Sequence, residues 1–437
     1  MRFAQLKRER EIRYKSIQKE KEMITNDAYK ENIRSSIKTL ERRMLKKTRG
    51  FLSSEHVERF IEAAMFLKER GYTLAEVMGC GQDGSGKYQS LPYEDREILD
   101  GLDYPSILDR LFKEGKAEAV ISLISSSPLF QEETGPEPLC PGSLFQEVVR
   151  RYDTWRTHGG KIRQEDNITM IMLDLLLHGT EAGPEEKIRI YDMAMGTGTM
   201  LSETGERVRK IHPGARVVCC GQEKDPYGYI LAKAGAMLKG LEYEYVNANV
   251  IPDDRFVGQT FPLVITGFPV EANWGDHAKG VIEEYKTIPF GRFQPGLPSV
   301  SNVQILYLLN GISKMADDGK MAIVMTDDAL LDPRAKEMEN IRKFILENDL
   351  IETIVRTRAR PKIKKFSSIY LLNKKKPSER SGRIQIINIE DEMVEGKDAV
   401  LQAYKEYSDR VYKEEDRVVE SRICSTGEYE EMLIAKE

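Results

Sequence analysis

Residues 187–201 read KIRIYDMAMGTGTML, a run whose residue types and spacing suit the holding of a nucleotide-like ligand. A short apolar stretch ends in Asp192, Gly196-Thr197-Gly198 follow, and the chain continues through Met200 and Leu201 into a helix-compatible segment. Strand, glycine turn and helix in that order make a cradle. Glycines permit tight backbone angles and let a ligand approach the main chain. The helix after the turn offers unpaired N–H groups to the ligand's polar end. A purely structural turn would use the same residues, so a second signal is needed. The next apolar run, ARVVCCGQE, ends in Gly221-Gln222-Glu223. A carboxylate at a strand end about 25 residues after a glycine turn is placed to accept hydrogen bonds from the two hydroxyls of a ribose. Taken alone, Glu223 reads equally as an exposed glutamate.

The elements that must position these residues lie in a chain of uneven texture. Residues 1–50 mix charged and apolar residues at helical spacing, and the mixture is basic. Leu6, Ile12, Ile17, Ile24, Ile33, Ile37 and Leu40 are too sparse for a core, which predicts a solvated helical arm, with docking to a partner or to nucleic acid as the functional alternatives. Residues 51–150 carry apolar residues at three- and four-residue spacing in HVERFIEAAMFLKERG, YPSILDRLFKEG and LFQEVVRRYDTW, a helical domain. Within it GQDGSGKY (81–88) mimics a phosphate loop but lacks the Ser or Thr after the lysine and follows a helix, so it reads as a surface loop. From about residue 151 to 390, eight apolar, β-branched runs alternate with helical segments: KIRIYD, ARVVCCGQE, EYEYVNANV, PLVITG, GKMAIVMT, LIETIVRT, SSIYLLNK and RIQIINI. That alternation predicts an α/β domain with a doubly wound, mostly parallel sheet. The last two runs have no helix between them, which predicts an antiparallel hairpin at one edge. Residues 391–437 read as a charged helical tail.

At 437 residues the chain exceeds one ordinary domain, and 40% hydrophobic residues can bury a large core. No apolar run is long enough for a bilayer, and the opening MRFAQLKRERE is too charged for a signal peptide. Five cysteines, none at metal-ligand spacing, fit a reducing, cytoplasmic compartment without a disulfide framework.

DMAMGTGTML resembles the S-adenosylmethionine motif of the N6-adenine DNA methyltransferases, in particular the modification subunits of type I restriction systems, where it typically reads D-P-A-C-G-T-G-G-F-L. GQEKDPYGYILAKAGAMLKG is similar to the family's next block. The likeness continues through FPVEANWGD, GRFQPGLPSVSNVQILYLLNGISKMADDGKMAIVM and IKKFSSIYLLNKKK, roughly residues 150–390. It implies a Rossmann-like methyltransferase domain behind a helical one, S-adenosylmethionine as cofactor, DNA as a partner, and further protein subunits docking through the terminal helices. Asp192, Gly196 and Gly198 would form the methionine-side cradle, with Ala194 and Thr197 in the same cofactor-binding turn. Glu223 would hold the ribose. Asn249 falls where the family usually has an acidic residue near the cofactor's adenine.

The family's catalytic motif, Asn, Asp or Ser followed by Pro-Pro-Phe/Tyr, is replaced here by Gly267-Phe268-Pro269-Val270. Gly267 has no side chain to accept a hydrogen bond from the target amine, and Val270 has no ring to stack on an extruded base. The family's earlier Thr-Pro motif is also missing from GGKIRQEDNITM. The resemblance therefore implies a cofactor-binding, DNA-associated subunit with impaired turnover, the alternative being an active N6-adenine methyltransferase with a variant motif. One feature exceeds the family's pattern. Arg356, Arg358, Arg360, Lys362, Lys364, Lys365, Lys374, Lys375 and Lys376 occur in 21 residues with no acid. They read either as a solvated edge strand, whose lysines discourage aggregation, or as a strip contacting nucleic-acid phosphates.

Overall fold

A computed structural model describes residues 31–73, 77, 87–131, 142–156, 166–180, 187–267, 273–326, 329–331, 337–357, 367–389, 397–414 and 417–434. The chain forms two compact units, Met1–Trp155 and Arg156–Glu437. Among the described residues no helix is long and apolar enough to cross a membrane.

The first unit is helical wherever it is described in regular elements. Residues 31–47 are followed by α1 (Ser54–Glu69), α2 (Tyr93–Gly101), α3 (Tyr104–Lys113), α4 (Ala117–Ser125) and α5 (Ser143–Arg156). Ser53 starts α1 with a capping box in which His56 replaces the usual glutamate: its hydroxyl accepts from His56 N–H at 3.2 Å, and its own N–H donates to His56 Nδ1 at 3.2 Å. The expectation of a projecting arm does not hold for residues 31–47. Ile33, Ile37, Leu40 and Met44, at steps of four, three and four, make one buried stripe, and Arg34 pairs with Glu147 at 3.5 Å. Residues 1–30 lie outside the described residues, as does most of GQDGSGKY.

The second unit is built on a ten-stranded sheet in the order β3-β2-β1-β4-β5-β7-β6-β8-β10-β9. Its strands are β1 (Lys187–Asp192), β2 (Arg216–Glu223), β3 (Glu242–Asn247), β4 (Phe261–Thr266), β5 (Met315–Thr326), β6 (Ile351–Thr357), β7 (Ser367–Asn373), β8 (Arg383–Ile389), β9 (Arg410–Glu414) and β10 (Arg417–Ser425). All eight runs expected as strands are strands. β1 to β5 pair in parallel, β7 is inserted antiparallel between β5 and β6, and β8 pairs in parallel with β6. An antiparallel hairpin does close one edge, but β9 and β10 form it, and β7 and β8 do not pair. The reading of residues 391–437 as a helical tail is corrected in the same way: these two strands lie between α12 (Lys397–Glu406) and α13 (Thr426–Ile434). The inward position Ser421, bonded to Gln385 at 2.9 Å, breaks the apolar alternation that would have marked β10.

Helices cover both faces. Buried side chains of α6 (Asp166–Leu177), α7 (Thr199–Ile211), α8 (Pro226–Leu238) and α12 join Ile188, Ile190, Val217 and Leu263 in one core. Those of α10 (Val303–Lys314), α11 (Met338–Glu347) and α13 join Tyr191, Val218, Cys220 and Val264 in the other. Successive strand residues thus feed opposite layers. From β1 the chain runs outward to β3 and then crosses back to β4 on the other side of β1. At such a reversal the crossover connections part and leave a crevice beyond the carboxyl ends of the strands.

Candidate cofactor site at the carboxyl edge of the sheet

β1 delivers Asp192 to that crevice, 1% exposed, with its Oδ1 accepting the Ala194 N–H at 3.0 Å. Its Oδ2 has no partner among the described residues. The Thr266 hydroxyl at the end of β4 is likewise buried without a hydrogen bond of good geometry, though it is close enough to Asp192 to favour its charged form. Burial raises the Asp192 pKa from the usual carboxylate value to about 7, opposed by the Ala194 N–H and the Thr266 hydroxyl and assisted by the nearby Glu223 charge.

The glycine turn is fastened from below and from the side. Met195 N–H donates to the Gln222 carbonyl at 3.0 Å, and Gly196 N–H donates to Glu223 Oε2 at 2.8 Å. The other Glu223 oxygen accepts the Asp225 N–H at 2.8 Å. Glu223 is 7% exposed and, besides facing the crevice, ties the turn to the start of α8. Asp225 caps α8 ahead of Pro226.

The two glycines do different work. Both have positive φ, 57° at Gly196 and 71° at Gly198. A Cβ on Gly196 would meet nothing within 4 Å, whereas one on Gly198 would lie 2.7 Å from the Ala232 Cβ of α8. Gly198 therefore serves the packing of the α7 start against α8, and a larger residue there would collide with protein. Gly196 faces open space and is the position where a ligand can approach the backbone. Thr197 lies between them, half-buried, its hydroxyl 3.3 Å from that of Thr199.

The third wall follows β3. Asn249 Oδ1 accepts the Ile251 N–H at 3.2 Å, and its amide nitrogen lies 3.0 Å from His277 Nε2. The amide nitrogen can only donate, so His277 Nε2 is the acceptor. Arg292 donates to the carbonyls of Val250 and Ile251, both at 2.7 Å, and forks onto Glu284 of α9 (Ala278–Thr287) at 2.7 and 2.9 Å. Gln222 holds the next residues by donating to the Asp253 carbonyl at 3.0 Å and accepting from Arg255 N–H at 2.9 Å. Tyr307 of α10 is 9% exposed; burial and then the Glu223 and Asp192 charges raise its pKa, so its phenol stays protonated.

The N-6 DNA methylase family profile matches residues 144–426, well over half the chain. The chain belongs to the N-6 DNA methylase family. It is 27% identical over 236 residues to the type I restriction enzyme MjaIX methylase subunit of Methanocaldococcus jannaschii, covering 53% of this chain and 40% of that protein. It is 28% identical over 269 residues to the MjaVIII methylase subunit of the same organism, covering 54% and 43%. The match thus spans less than half the length of these relatives. Among solved structures, the type I restriction-modification methyltransferase subunit of Streptococcus thermophilus superposes with a TM-score of 0.64 at 15% identity, covering 92% of this chain and 97% of that one. A chain from a structural study of type I restriction-modification assembly gives 0.58 at 15%, covering 91% and 89%. At these identities the likeness is one of fold.

In this member of the family, Asp192, Ala194, Gly196, Thr197 and Glu223 converge at the carboxyl edge, with Asn249 on the loop after the neighbouring β3. Gly267 follows β4 at the same edge, while Phe268, Pro269 and Val270 lie outside the described residues. The cation run does not form one strip. β6 and β7 are antiparallel, so Arg356 lies at the carboxyl edge whereas Lys374, Lys375 and Lys376 lie at the opposite edge. Lys374 donates to the Met315 carbonyl at 2.7 Å, and the Lys376 side chain is 3% exposed and pairs with Asp349 at 2.5 Å. Those two are structural. Arg358, Arg360, Lys362, Lys364 and Lys365 lie outside the described residues. His277, Arg292 and Tyr307 were missed from sequence, because each acts on a neighbour far along the chain. Arg292 had one signal, its place in the family-like GRFQPG.

Proposed function

We propose that this chain binds S-adenosylmethionine at the carboxyl edge and serves as a DNA-associated methylase subunit of a restriction-modification or related defence assembly, with transfer to adenine impaired. The observation that carries the cofactor reading is Asp192: a buried carboxylate with one oxygen unsatisfied, beside an open glycine turn. Such an orphan is costly unless a donor or cation meets it. S-adenosylmethionine brings an ammonium and a sulfonium, and its ribose brings two hydroxyl donors for the lone pairs that Glu223 retains. These residues fit the group. When bound, the cofactor supplies an activated methyl group; Asp192, Glu223 and Asn249 would hold and orient it, and Gly196 would give it room.

DNA association is supported by family membership and by the M. jannaschii relatives, which are type I restriction enzyme methylase subunits. Arg356, Arg358, Arg360, Lys362, Lys364 and Lys365 are the proposed phosphate contacts, and Arg356 lies on the same edge as the cofactor residues. Partner subunits would dock through outer faces of the N- and C-terminal helices. Impairment rests on Gly267 and Val270, which remove an amine acceptor and a stacking platform. A preorganised acceptor is commonly worth about 10²- to 10³-fold in rate.

Calorimetry with the cofactor, then a filter assay with labelled cofactor on mixed-sequence DNA and any partner subunits, tests both parts. Binding without appreciable methylation is expected, with methylation rising about 10²-fold or more in Gly267→Asn/Val270→Phe. No binding at millimolar cofactor would sink the cofactor reading. Incorporation by the unaltered chain at ordinary methyltransferase rates would sink the impairment.

A further inference from the structure

The helix over residues 31–47 buries one stripe, Ile33, Ile37, Leu40 and Met44, and turns a different chemistry outward. Its exposed side carries Lys38, Arg42, Arg43, Lys46 and Lys47, with Arg49 exposed just past its end. At 3.6 residues per turn, Lys38, Arg42 and Lys46 stand about half a turn from the buried stripe and about 6 Å apart along the axis. They make one outward line. Between residues 32 and 50 the only acid is Glu41, which is half-buried and lies off that line. The helix itself is held from its other side: Arg34 pairs with Glu147 at 3.5 Å, and the Thr48 hydroxyl donates to the Met44 carbonyl at 2.9 Å.

The outward cations have no ion-pair partner among the described residues, and this sets them apart from cations on other helices. Arg59 pairs with Glu55 at 2.6 Å, Lys113 with Asp109 at 2.6 Å and Lys343 with Glu339 at 2.7 Å, each with its acid one turn earlier. In the helix over residues 31–47 the residue one turn earlier is itself a cation: Arg34 before Lys38, Lys38 before Arg42, Arg42 before Lys46. Like charges at that spacing destabilise a helix. The helix C-terminus offsets the repulsion for Lys46 and Lys47, but not for Lys38 and Arg42, which lie further back. A merely solvated face would interleave acids, as the other helices do. An unneutralised line calls for an anion from outside. No exposed residue of this helix is apolar, whereas protein interfaces deplete lysine and rely on aromatic and other apolar anchors. An array of phosphates needs no such anchor, and it is bound by lysine, arginine and hydroxyl side chains such as those of Ser35 and Thr39.

We infer that Lys38, Arg42 and Lys46, with Arg43, Lys47 and Arg49 beside them, form a DNA-contact surface on the helical unit, one that holds backbone phosphates of the duplex and reads no base. The inference rests on the DNA-associated reading proposed above. It involves none of the cations between Arg356 and Lys365, and it leaves partner docking to the outer faces of the other terminal helices.

The test measures fluorescence anisotropy of labelled mixed-sequence duplex at four or more salt concentrations, using the full chain with cofactor and any partner subunits, alongside thermal melts. Lys38→Gln/Arg42→Gln/Lys46→Gln should flatten the log–log salt slope by about 2.7, and each single glutamine variant by about 0.9, equally on unrelated sequences. The Tm of the triple variant should stay within ~2 °C of the unaltered chain or rise, since glutamine keeps helix propensity and the repulsion is relieved. Lys38→Arg/Arg42→Lys/Lys46→Arg, which keeps every charge, should keep the slope. So should Lys113→Gln/Lys343→Gln, which removes two cations that already have acids. An unchanged slope in the triple and single glutamine variants, with DNA still bound by the unaltered chain, would overturn the inference and leave the DNA reading standing. A changed oligomeric state or lost subunit assembly with the slope intact would assign the line to an acidic protein surface and overturn it too. Equal flattening, charge for charge, in Lys113→Gln/Lys343→Gln would reduce the effect to net charge, which also overturns it. Absence of DNA binding by the unaltered chain would remove the DNA reading and this inference together.

Discussion

Asp192 and Glu223 end neighbouring parallel strands, yet Asp192 has one oxygen without a donor whereas each Glu223 oxygen accepts a backbone N–H. The difference sets a pH dependence. The Asp192 pKa is raised to about 7 in the fold, chiefly by burial, so between about pH 4 and 7 the folded chain binds a proton that the unfolded chain has lost. Its contribution to stability therefore falls as pH rises through that window. A cationic ligand meeting the ionised form has the opposite trend: cofactor affinity should rise about tenfold from pH 6 to pH 8 and level off above. Asp192→Asn, which keeps an acceptor for the Ala194 N–H, should flatten that profile in calorimetry; an unchanged slope would show that Asp192 does not face the ligand. The two glycines separate by a second measurement. Gly198→Ala combines a left-handed φ with a 2.7 Å collision and should lose about 2–4 kcal/mol in urea unfolding, whereas Gly196→Ala carries only the conformational term, about 1 kcal/mol. Equal losses would contradict the division of labour. The turn and its acidic partner were legible because a glycine turn and a carboxylate strand end are local patterns. Which glycine faces protein was not, since Ala232 lies 34 positions away.

Among elements, the buried cluster at Glu352 shows how the last quarter of the chain is bound to the sheet. Glu352 on β6 is 1% exposed and accepts from Arg380 at 2.7 Å, from the Tyr404 hydroxyl of α12 at 2.7 Å, and from Asn373 at the end of β7 at 2.6 Å. Arg380 also donates to the Tyr404 carbonyl at 2.7 Å and lies 4.4 Å from the centres of the Tyr404 and Tyr407 rings. Every Glu352 oxygen is satisfied, so removing one partner leaves a buried charge. Arg380→Met should cost about 3–5 kcal/mol in urea unfolding, and adding Glu352→Gln should recover part of it. Additive losses would mean that the two groups do not share one network. The sequence made β1 to β8 visible, most of them because both faces of a covered sheet demand apolar runs. It hid β9 and β10, whose outward positions include Arg410, Glu420 and Arg422 and whose inward Ser421 is held by Gln385. The insertion of β7 between β5 and β6 was equally hidden, since strand order is decided by long-range pairing and not by any one strand's composition.

At the scale of the whole molecule, the sheet has two edges of opposite character, and its strand directions decide which charges reach which. The carboxyl edge carries Asp192, Glu223, Gly267 and Arg356; the opposite edge carries Lys374 and Lys376, already committed to Met315 and Asp349. A run that is continuous in sequence is therefore divided in space by the seven residues of β7, with Arg356 at one edge and Lys374 to Lys376 at the other. Phosphate contacts release counterions, and each is worth about 0.9 in the log–log salt slope on duplex DNA. Changing Arg358, Lys362 and Lys365 together to Glu should flatten that slope by about 2.7 or more, with little change in Tm and little sequence preference. Lys376→Met should do the reverse. It removes the cationic partner of Asp349, which keeps the Gly382 N–H, from a site where the lysine is 3% exposed, costing about 1–3 kcal/mol of stability while leaving the salt slope alone. The loss stays below that of a fully buried pair because Asp349 keeps 26% of its side chain exposed. Titrations at four or more salt concentrations beside urea melts read both quantities on the same proteins. An unchanged slope in the triple variant would return these cations to the role of a solvated segment. A flattened slope in Lys376→Met would mean that the opposite edge also touches DNA, and that the two-edge division is wrong.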